Sequence, residues 1–169
     1  MIEIRKMTIA DLEQVEAIER DNFSEPWSFD AFKDAVEKDY TLYLVAMDGA
    51  VCMGYCGMYI SGEDGEIPNV AVAKEFRRTG IAYFMMSVLH HFAYEKGVRK
   101  AVLEVRESNI PAIGLYERMG YKKIGIRKNF YRMPAENALI YELQIAGPED
   151  RHCCGSECAS CKEQGNCRK

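Results

Sequence analysis

The chain lacks any apolar run approaching the roughly 20 residues that a membrane-spanning helix requires. Its start also lacks the basic-then-apolar layout of a secretory leader. Both absences set the expectation of a cytosolic protein with no membrane contact. A basic surplus is missing as well: 22 Lys and Arg stand against 26 Asp and Glu, for a net charge of −4. Nucleic-acid binding is built on a positive field, so the expected partner is instead cationic, an amine or a basic peptide. Two common phosphate-binding signatures are absent, the Gly-Lys-Ser/Thr end of the P-loop and the three-glycine dinucleotide fingerprint. There are seven cysteines, but five crowd into residues 153–167, so the body of the chain lacks the spacing of a disulfide-stapled fold. Cys52 and Cys56 lie four apart on an expected strand, about 13 Å and beyond disulfide reach. They read as small core residues.

What is present is enough for one globular domain: 169 residues, 48% hydrophobic and 28% charged. Ile2 to Arg5 reads as a strand. Thr8-Ile9-Ala10-Asp11 is a capping box opening a helix with Leu12, Val15, Ala17 and Ile18 on its buried side. Ser28 caps a second, shorter helix through Phe29, Phe32 and Val36, and Thr41 to Ala46 is a strand. Asp48-Gly49 is a two-residue hairpin signal, so Ala50 to Ile60 returns antiparallel. A polar turn, Ser61 to Gly65, leads to a strand ending near Ala73. A helix follows with Ile81, Phe84, Met85, Val88, Leu89 and Phe92 at helical spacing, ended by Gly97. Its methionines read as core. His90 and His91 diverge as neighbours on a helix and read as a solvated face rather than a metal pair. Then come a strand, Ala101 to Val105, a helix from Pro111 to Met119, and a final strand pair, Tyr121 to Ile126 and Ala138 to Ile145. Strands interrupted by helices, with antiparallel hairpins at each side, imply an α/β mixed sheet with helices on both faces.

The most informative segment is Asn69-Val70-Ala71-Val72, followed by Arg77-Arg78-Thr79-Gly80-Ile81-Ala82 and a long helix. An apolar strand breaking into a basic, glycine-containing turn presents bare backbone N–H groups and a helix dipole to an anion. An ordinary basic strand-to-helix loop has the same composition.

The spacing Arg77-x-x-Gly80-x-Ala82 resembles the acetyl-CoA pyrophosphate loop of GNAT-family N-acetyltransferases. Leu103-Glu104-Val105-Arg106, Ser108-Asn109 and Leu115-Tyr116-Glu117-Arg118-Met119-Gly120-Tyr121 are similar to the family's Leu-Glu-Val-Arg, Asn and Leu-Tyr-x-x-x-Gly-Phe/Tyr segments. Together with Glu25-Pro26-Trp27-Ser28 and Asn129-Phe130-Tyr131, they resemble the RimI type, over roughly residues 1–145. That type acetylates the N-terminal alanine of small-subunit ribosomal protein bS18. The resemblance implies the acyl-CoA N-acyltransferase fold, direct acetyl transfer from acetyl-CoA without a covalent enzyme intermediate, and a protein N-terminus as acceptor for a monomer or weak oligomer. Acetylation of a small amine or antibiotic and a CoA-responsive binding module are the alternative functions.

Acetyl transfer needs a neutral amine, whereas an α-ammonium has a pKa near ~8. On the strand 101–105, alternation puts Val102, Glu104 and Arg106 on one face, leaving a single carboxylate among apolar neighbours. The resemblance implies that Glu104 is the general base; a salt bridge to Arg106 or Lys100 is the plain alternative. It likewise implies that Tyr116 protonates the departing thiolate, whereas a core aromatic is the plain reading. Asn109 begins a helix as a cap, and the resemblance adds a bond to the CoA arm. Val70, Ala71 and Val72 carry no reactive atoms; their implied role is backbone pairing with the pantetheine amides, as a peptide adds to a sheet. Arg77, Arg78, Thr79, Gly80, Ile81, Ala82 and Tyr83 are implied to surround the pyrophosphate. Thr79 and Ala82 depart from the usual Arg and Gly, implying a somewhat weaker phosphate contact. Asn137 replaces an Asp usual in the RimI type, which bears on the peptide end.

Residues 1–147 are therefore expected to form the catalytic domain. Residues 148–169, poor in apolar side chains, form a tail expected to be mobile without a ligand. Its Cys153, Cys154, Cys158, Cys161 and Cys167, with His152, offer ligands for zinc or an iron–sulfur cluster; the plain reading is an oxidation-prone appendage.

Overall fold

The second strand of the sheet decides the architecture. Leu42, Leu44 and Ala46 alternate with Tyr43, Val45 and Met47, and all six are buried, so this strand must be covered on both faces. The computed structural model, which describes residues 2–147, provides those two layers. Eight strands form one sheet: β1 (Ile2–Lys6), β2 (Thr41–Asp48), β3 (Val51–Ser61), β4 (Asp64–Ile67), β5 (Val70–Val72), β6 (Lys100–Arg106), β7 (Lys122–Arg132) and β8 (Ala135–Gln144). The four helices are α1 (Leu12–Asn22), α2 (Phe29–Val36), α3 (Ile81–Glu95) and α4 (Ile110–Arg118). The strand order is β1-β2-β3-β4-β6-β8-β7, with β5 also lying on β3. The β4–β6 ladder is parallel and the others are antiparallel. Helices α1 and α2 cover the Tyr43 face, with Phe32 wedged edge-on against Tyr43 and Tyr55. Helix α3 covers the Leu44 face through Ile81, Met85, Met86 and Leu89, so the methionines are core. Phe84, expected on that buried side, is instead 61% exposed. Cys52 and Cys56 are free and buried. No helix among the described residues is long and apolar enough to cross a membrane.

The capping box is present: Asp11 Oδ2 accepts from the Thr8 N–H and hydroxyl, both at 2.8 Å. Arg5 donates to both oxygens of Asp11 at 2.8 and 2.7 Å, joining β1 to α1. That fork holds the Asp11 carboxyl down at about 2. Three turns differ from their expected positions. The first hairpin loop is Gly49–Ala50, closed by the Asp48↔Val51 pair, one residue later than the Asp-Gly signal. Ser61 and Asp64 pair, so the polar turn shrinks to Gly62–Glu63. The last two strands extend over 122–132 and 135–144. The polar run Arg127-Lys128-Asn129 in β7 and Pro134 in the turn resemble a loop in composition, and Asn129 takes φ +53 at a register irregularity.

A bulge between β4 and β5 sets the centre of the molecule. Tyr59 pairs with Glu66 but Cys56 with Val70, so one extra residue is inserted around Pro68, whose missing N–H suits a break in the ladder. The bulge is anchored from α1. Glu19, 1% exposed, accepts from the Tyr55 hydroxyl, from the Trp27 N–H at 3.0 Å and from the Asn69 amide at 3.4 Å. Tyr43 donates to the other side of Asn69 at 3.5 Å. Burial pushes the Glu19 carboxyl upward against the three donors that favour its ionised form. Glu19→Ala strands those donors at about 1–3 kcal/mol each, so urea unfolding is expected to show a loss of at least about 3 kcal/mol. Glu19→Gln, which keeps one acceptor oxygen, is expected to lose less. A Glu19→Ala protein within about 1 kcal/mol of the parent, inside the spread of ordinary surface substitutions, contradicts the anchor.

Candidate active site

Parallel pairing of β4 with β6 runs from Asp64↔Lys100 to Ile67↔Leu103 and stops there. Beyond the bulge, β5 stays on β3 while Glu104, Val105 and Arg106 continue on β8, so the sheet opens into a split between β5 and β6. The Asn69 carbonyl and the Ala73 N–H are bonded to Gly57 and Met53 of β3. By antiparallel alternation, Ala71 spends its backbone groups on Tyr55, and those of Val70 and Val72 point away from β3. Val72's carbonyl accepts from Arg77 Nε at 3.4 Å and Asn22 Nδ2 at 3.5 Å. Gly54 allows β5 to lie this close, since a Cβ there would sit 2.6 Å from the Ala71 carbonyl oxygen.

Downstream of β5, the loop into α3 is the segment expected to cradle an anion. Arg78 and Gly80 both take left-handed backbone, with φ +65 and +86. The N–H groups of Arg78 through Tyr83 have no acceptor among the described residues, the first bond into α3 being Phe84 N–H to the Gly80 carbonyl at 3.2 Å. Successive unpaired amides at a helix start form an anion-binding concavity. Thr79 does not point its hydroxyl into it: Oγ1 donates to the Phe76 carbonyl at 2.6 Å and closes the loop. Arg77 is likewise occupied, bonded to Asn22 Oδ1 at 2.9 Å as well as to Val72. Of the two arginines, Arg78 is exposed with no side-chain partner among the described residues.

Across the split, Val102, Glu104 and Arg106 share the less buried face of β6, as alternation requires. The expectation of a lone carboxylate among apolar neighbours needs correcting. Glu104 pairs with Arg127 of β7 at 2.6 Å, whereas Lys100 pairs with Asp64 and Arg106 with Glu136. Glu66, opposite Val102 in the β4–β6 ladder, is a second carboxylate on this side. Partial burial pushes the Glu104 carboxyl up, Arg127 pulls it down and Glu66 pushes it up, for a net rise. Tyr131 also lies within electrostatic reach of Glu104 and of Arg106, and the Arg106 guanidinium stacks on its ring at 4.1 Å.

Tyr116 of α4 is 7% exposed and its hydroxyl has no hydrogen-bond partner among the described residues. Burial raises its pKa, with smaller contributions from Tyr131 and Cys56, which keeps the phenol protonated at neutral pH. Its ring leans on Tyr121 at 5.7 Å. Tyr121 in turn bonds His90 Nε2 at 2.7 Å, so His90 is not on a solvated face; His91 is, paired with Glu95 at 3.4 Å. Asn109 caps α4, accepting from the Ala112 N–H at 3.3 Å. Asn137 shapes the last hairpin: Oδ1 accepts from the Asn129 N–H and Nδ2 donates to Glu107, both at 3.0 Å. An Asp there has no proton to offer Glu107, so the Asn belongs with that neighbour. Among the described residues no group of three or more His, Cys, Asp or Glu is placed to hold a metal. Cys153, Cys154, Cys158, Cys161 and Cys167 lie outside the described residues, and with them the expectation of tail mobility and of a zinc or iron–sulfur site.

The split thus lies between the β5 edge, which runs on to the α3 N-terminus, and the β6 strand that carries Glu104, and Arg77 and Thr79 both make hydrogen bonds within the protein beside it. Glu19, Asn69, Glu66, Arg127 and the Tyr121–His90 pair carry no local spacing signal. Tyr131 belongs to the Asn129-Phe130-Tyr131 segment, which by itself assigns it no role.

A split mixed sheet with an amide-lined helix start at its mouth defines an acyl-CoA-type transferase architecture. Residues 9–121 match the Acetyltransferase (GNAT) family, and the chain belongs to that family of N-acetyltransferases. It is 38% identical over 143 residues to a putative [ribosomal protein bS18]-alanine N-acetyltransferase of Bacillus subtilis, covering 84% of this chain and 95% of that one. The crystal structure of the ribosomal-protein-S18-alanine N-acetyltransferase from Escherichia coli superposes with a TM-score of 0.79 at 28% identity, over 88% of this chain and 97% of that one. Arabidopsis thaliana NAA60, solved in complex with acetyl-CoA, shares the fold with a TM-score of 0.78 at 21% identity, over 86% and 100% of the two chains.

The charges around Glu104 make a direct titration test. Arg127→Gln removes the group that lowers its pKa, so carboxyl NMR is expected to show Glu104 titrating at higher pH than in the parent. Glu66→Gln removes a raising charge and is expected to move it lower. Shifts in the same direction for both variants contradict the arrangement.

Proposed function

We propose that this chain transfers acetyl from acetyl-CoA to a protein N-terminal amine, with the N-terminal alanine of ribosomal protein bS18 as its acceptor. The observation that carries the reading is the split after Ile67↔Leu103, which leaves the outward backbone of Val70 and Val72 without a neighbouring strand where β6 continues through Glu104. Acetyl-CoA is a substrate here, and the residues fit it. The free amides of Arg78 to Tyr83, with the Arg78 guanidinium, suit a pyrophosphate, and the outward N–H and carbonyl of Val70 and N–H of Val72 suit the pantetheine amides as an added strand. Asn109 retains amide hydrogens for the same arm. The catalytic unit is residues 1–147.

In this mechanism the arriving ammonium displaces Arg127 from Glu104, which takes the proton directly or through a water. The neutral amine attacks the thioester carbonyl, the nitrogen of the tetrahedral intermediate gives up its second proton to solvent, and the intermediate collapses as the C–S bond breaks and the thiolate departs. Tyr116, held protonated by burial, supplies the thiolate's proton. The peptide acceptor is supported by the names of the Bacillus and Escherichia relatives, and a ribosomal acceptor places the enzyme in the cytoplasm.

The test is a peptide with the N-terminal sequence of bS18, offered with acetyl-CoA beside polyamines and aminoglycosides. Tandem mass spectrometry is expected to place a single acetyl group on the α-nitrogen, and faster turnover of a small amine overturns the acceptor. Glu104→Gln is expected to cut turnover strongly while leaving acetyl-CoA affinity nearly intact, and Tyr116→Phe to cut it by about 10²-fold. Gly80→Asp places a side chain and a negative charge at a left-handed residue of the cradle, and calorimetry is expected to find no acetyl-CoA binding. A metal site in the tail is a separate reading, supported if elemental analysis finds stoichiometric zinc or iron in the full chain and none in a chain ending at Gly147.

A further inference from the structure

The connection α1–α2 and the β7–β8 hairpin are far apart in sequence, and both lie beside the Glu104 face. One side chain holds them together. Arg106 Nη2 donates to Ser24 Oγ at 3.1 Å and to the Met133 carbonyl at 2.9 Å; Nη1 donates to the Pro134 carbonyl at 3.1 Å and to Glu136 Oε2 at 3.3 Å. The same guanidinium covers the Tyr131 ring at 4.1 Å. Glu136 extends the tie by accepting from the Ser108 N–H at the entry to α4. Among the described residues, Arg106 makes the hydrogen-bonded link between the connection and the hairpin.

The chemistry fits arginine and not lysine. Four acceptors on two chain segments and an aromatic face suit a planar fork with five donors, whereas an ammonium has only three donors at a single point and no plane to stack. Arg106 also leaves Glu104 to Arg127, so its own charge is spent on Glu136 and on the loops.

We propose that Arg106 is a positioning residue for the acceptor: it clamps the connection containing Ser24 to the hairpin containing Tyr131 and Met133, fixing both walls of the opening beside Glu104. This rests on the proposed transfer to a peptide amine. It adds that peptide recognition is built by a residue that need not touch the peptide, and that recognition of acetyl-CoA on β5 and α3 is independent of the clamp.

The test uses Arg106→Ala, Arg106→Lys and Ser24→Ala in the full chain. For Arg106→Ala the KM for the peptide is expected to rise about 10-fold or more, with a much smaller change in kcat and unchanged acetyl-CoA affinity by calorimetry. Arg106→Lys is expected to keep most of that defect, and Ser24→Ala to show a smaller rise that does not add to the Arg106→Ala effect. Hydrogen exchange, which needs no acceptor, is expected to quicken at residues 23–28 and 129–136 in Arg106→Ala and to stay unchanged at 78–83. Unchanged exchange in both walls, an unchanged peptide KM, or full rescue by lysine overturns the clamp. If the parent protein acetylates no peptide α-amine, the proposed function fails instead, and the exchange measurement still decides whether Arg106 joins the walls.

Discussion

The arrangement depends on one extra residue in the middle of the sheet. A ladder that kept its register from Tyr59↔Glu66 onward would hold β5 beside β6 and close the space in front of Glu104. The bulge at Pro68 and Asn69 turns β5 away after four parallel pairs. A bulge interrupts backbone hydrogen bonds and must be stabilised elsewhere, and here a buried carboxylate on α1 does so. Glu19 reaches the bulge through Asn69, the neighbouring strand through Tyr55 and the α1–α2 connection through the Trp27 N–H. One side chain therefore fixes both the strand proposed to bind cofactor and the connection proposed to meet the acceptor.

The two mouths of the split differ in electrostatic means. On the α3 side the fixed positive potential comes from backbone, with amides 78–83 unpaired and the Thr79 hydroxyl turned inward to hold the loop. Backbone donors are preorganised and cost little side-chain entropy on binding an anion. On the Glu104 side the charges are paired side chains: Glu104 with Arg127, Arg106 with Glu136 and Lys100 with Asp64. In the proposed mechanism an incoming ammonium exchanges with a cation already there, so Glu104 need not wait as an isolated charge, which is costly when buried. A net charge of −4 is consistent with a cationic acceptor, while the local amides make the anion site independent of that sign.

Much of this was legible in the sequence because it rests on local patterns. The helix faces, the strand alternation that exposes Glu104, the Thr8–Asp11 box and the turn at Gly80 are set by neighbours within a few residues. The bare amides of the basic loop were legible too, although not that the Arg77 and Thr79 side chains bond back onto the protein. What was not legible depends on register and long-range contact. Arg127 meets Glu104 because β8 lies between their strands, His90 leaves the solvated face because Tyr121 reaches it from the end of α4, and Phe84 is exposed because α3 turns its Met86 side to the sheet. The last hairpin was underestimated because its polar tip resembles a loop in composition, whereas Asn137 and Arg106 supply the bonds that hold it.

Amide chemical shifts recorded while acetyl-CoA is added test the central claim most directly. With the cofactor lying in the split, the largest shifts fall on the amides of Val70 and Val72 and on residues 78–83, and Ala71, whose N–H is already bonded to β3, moves least among its neighbours. Shifts concentrated away from β5 and the start of α3, or a β5 in which Ala71 responds most, would contradict it.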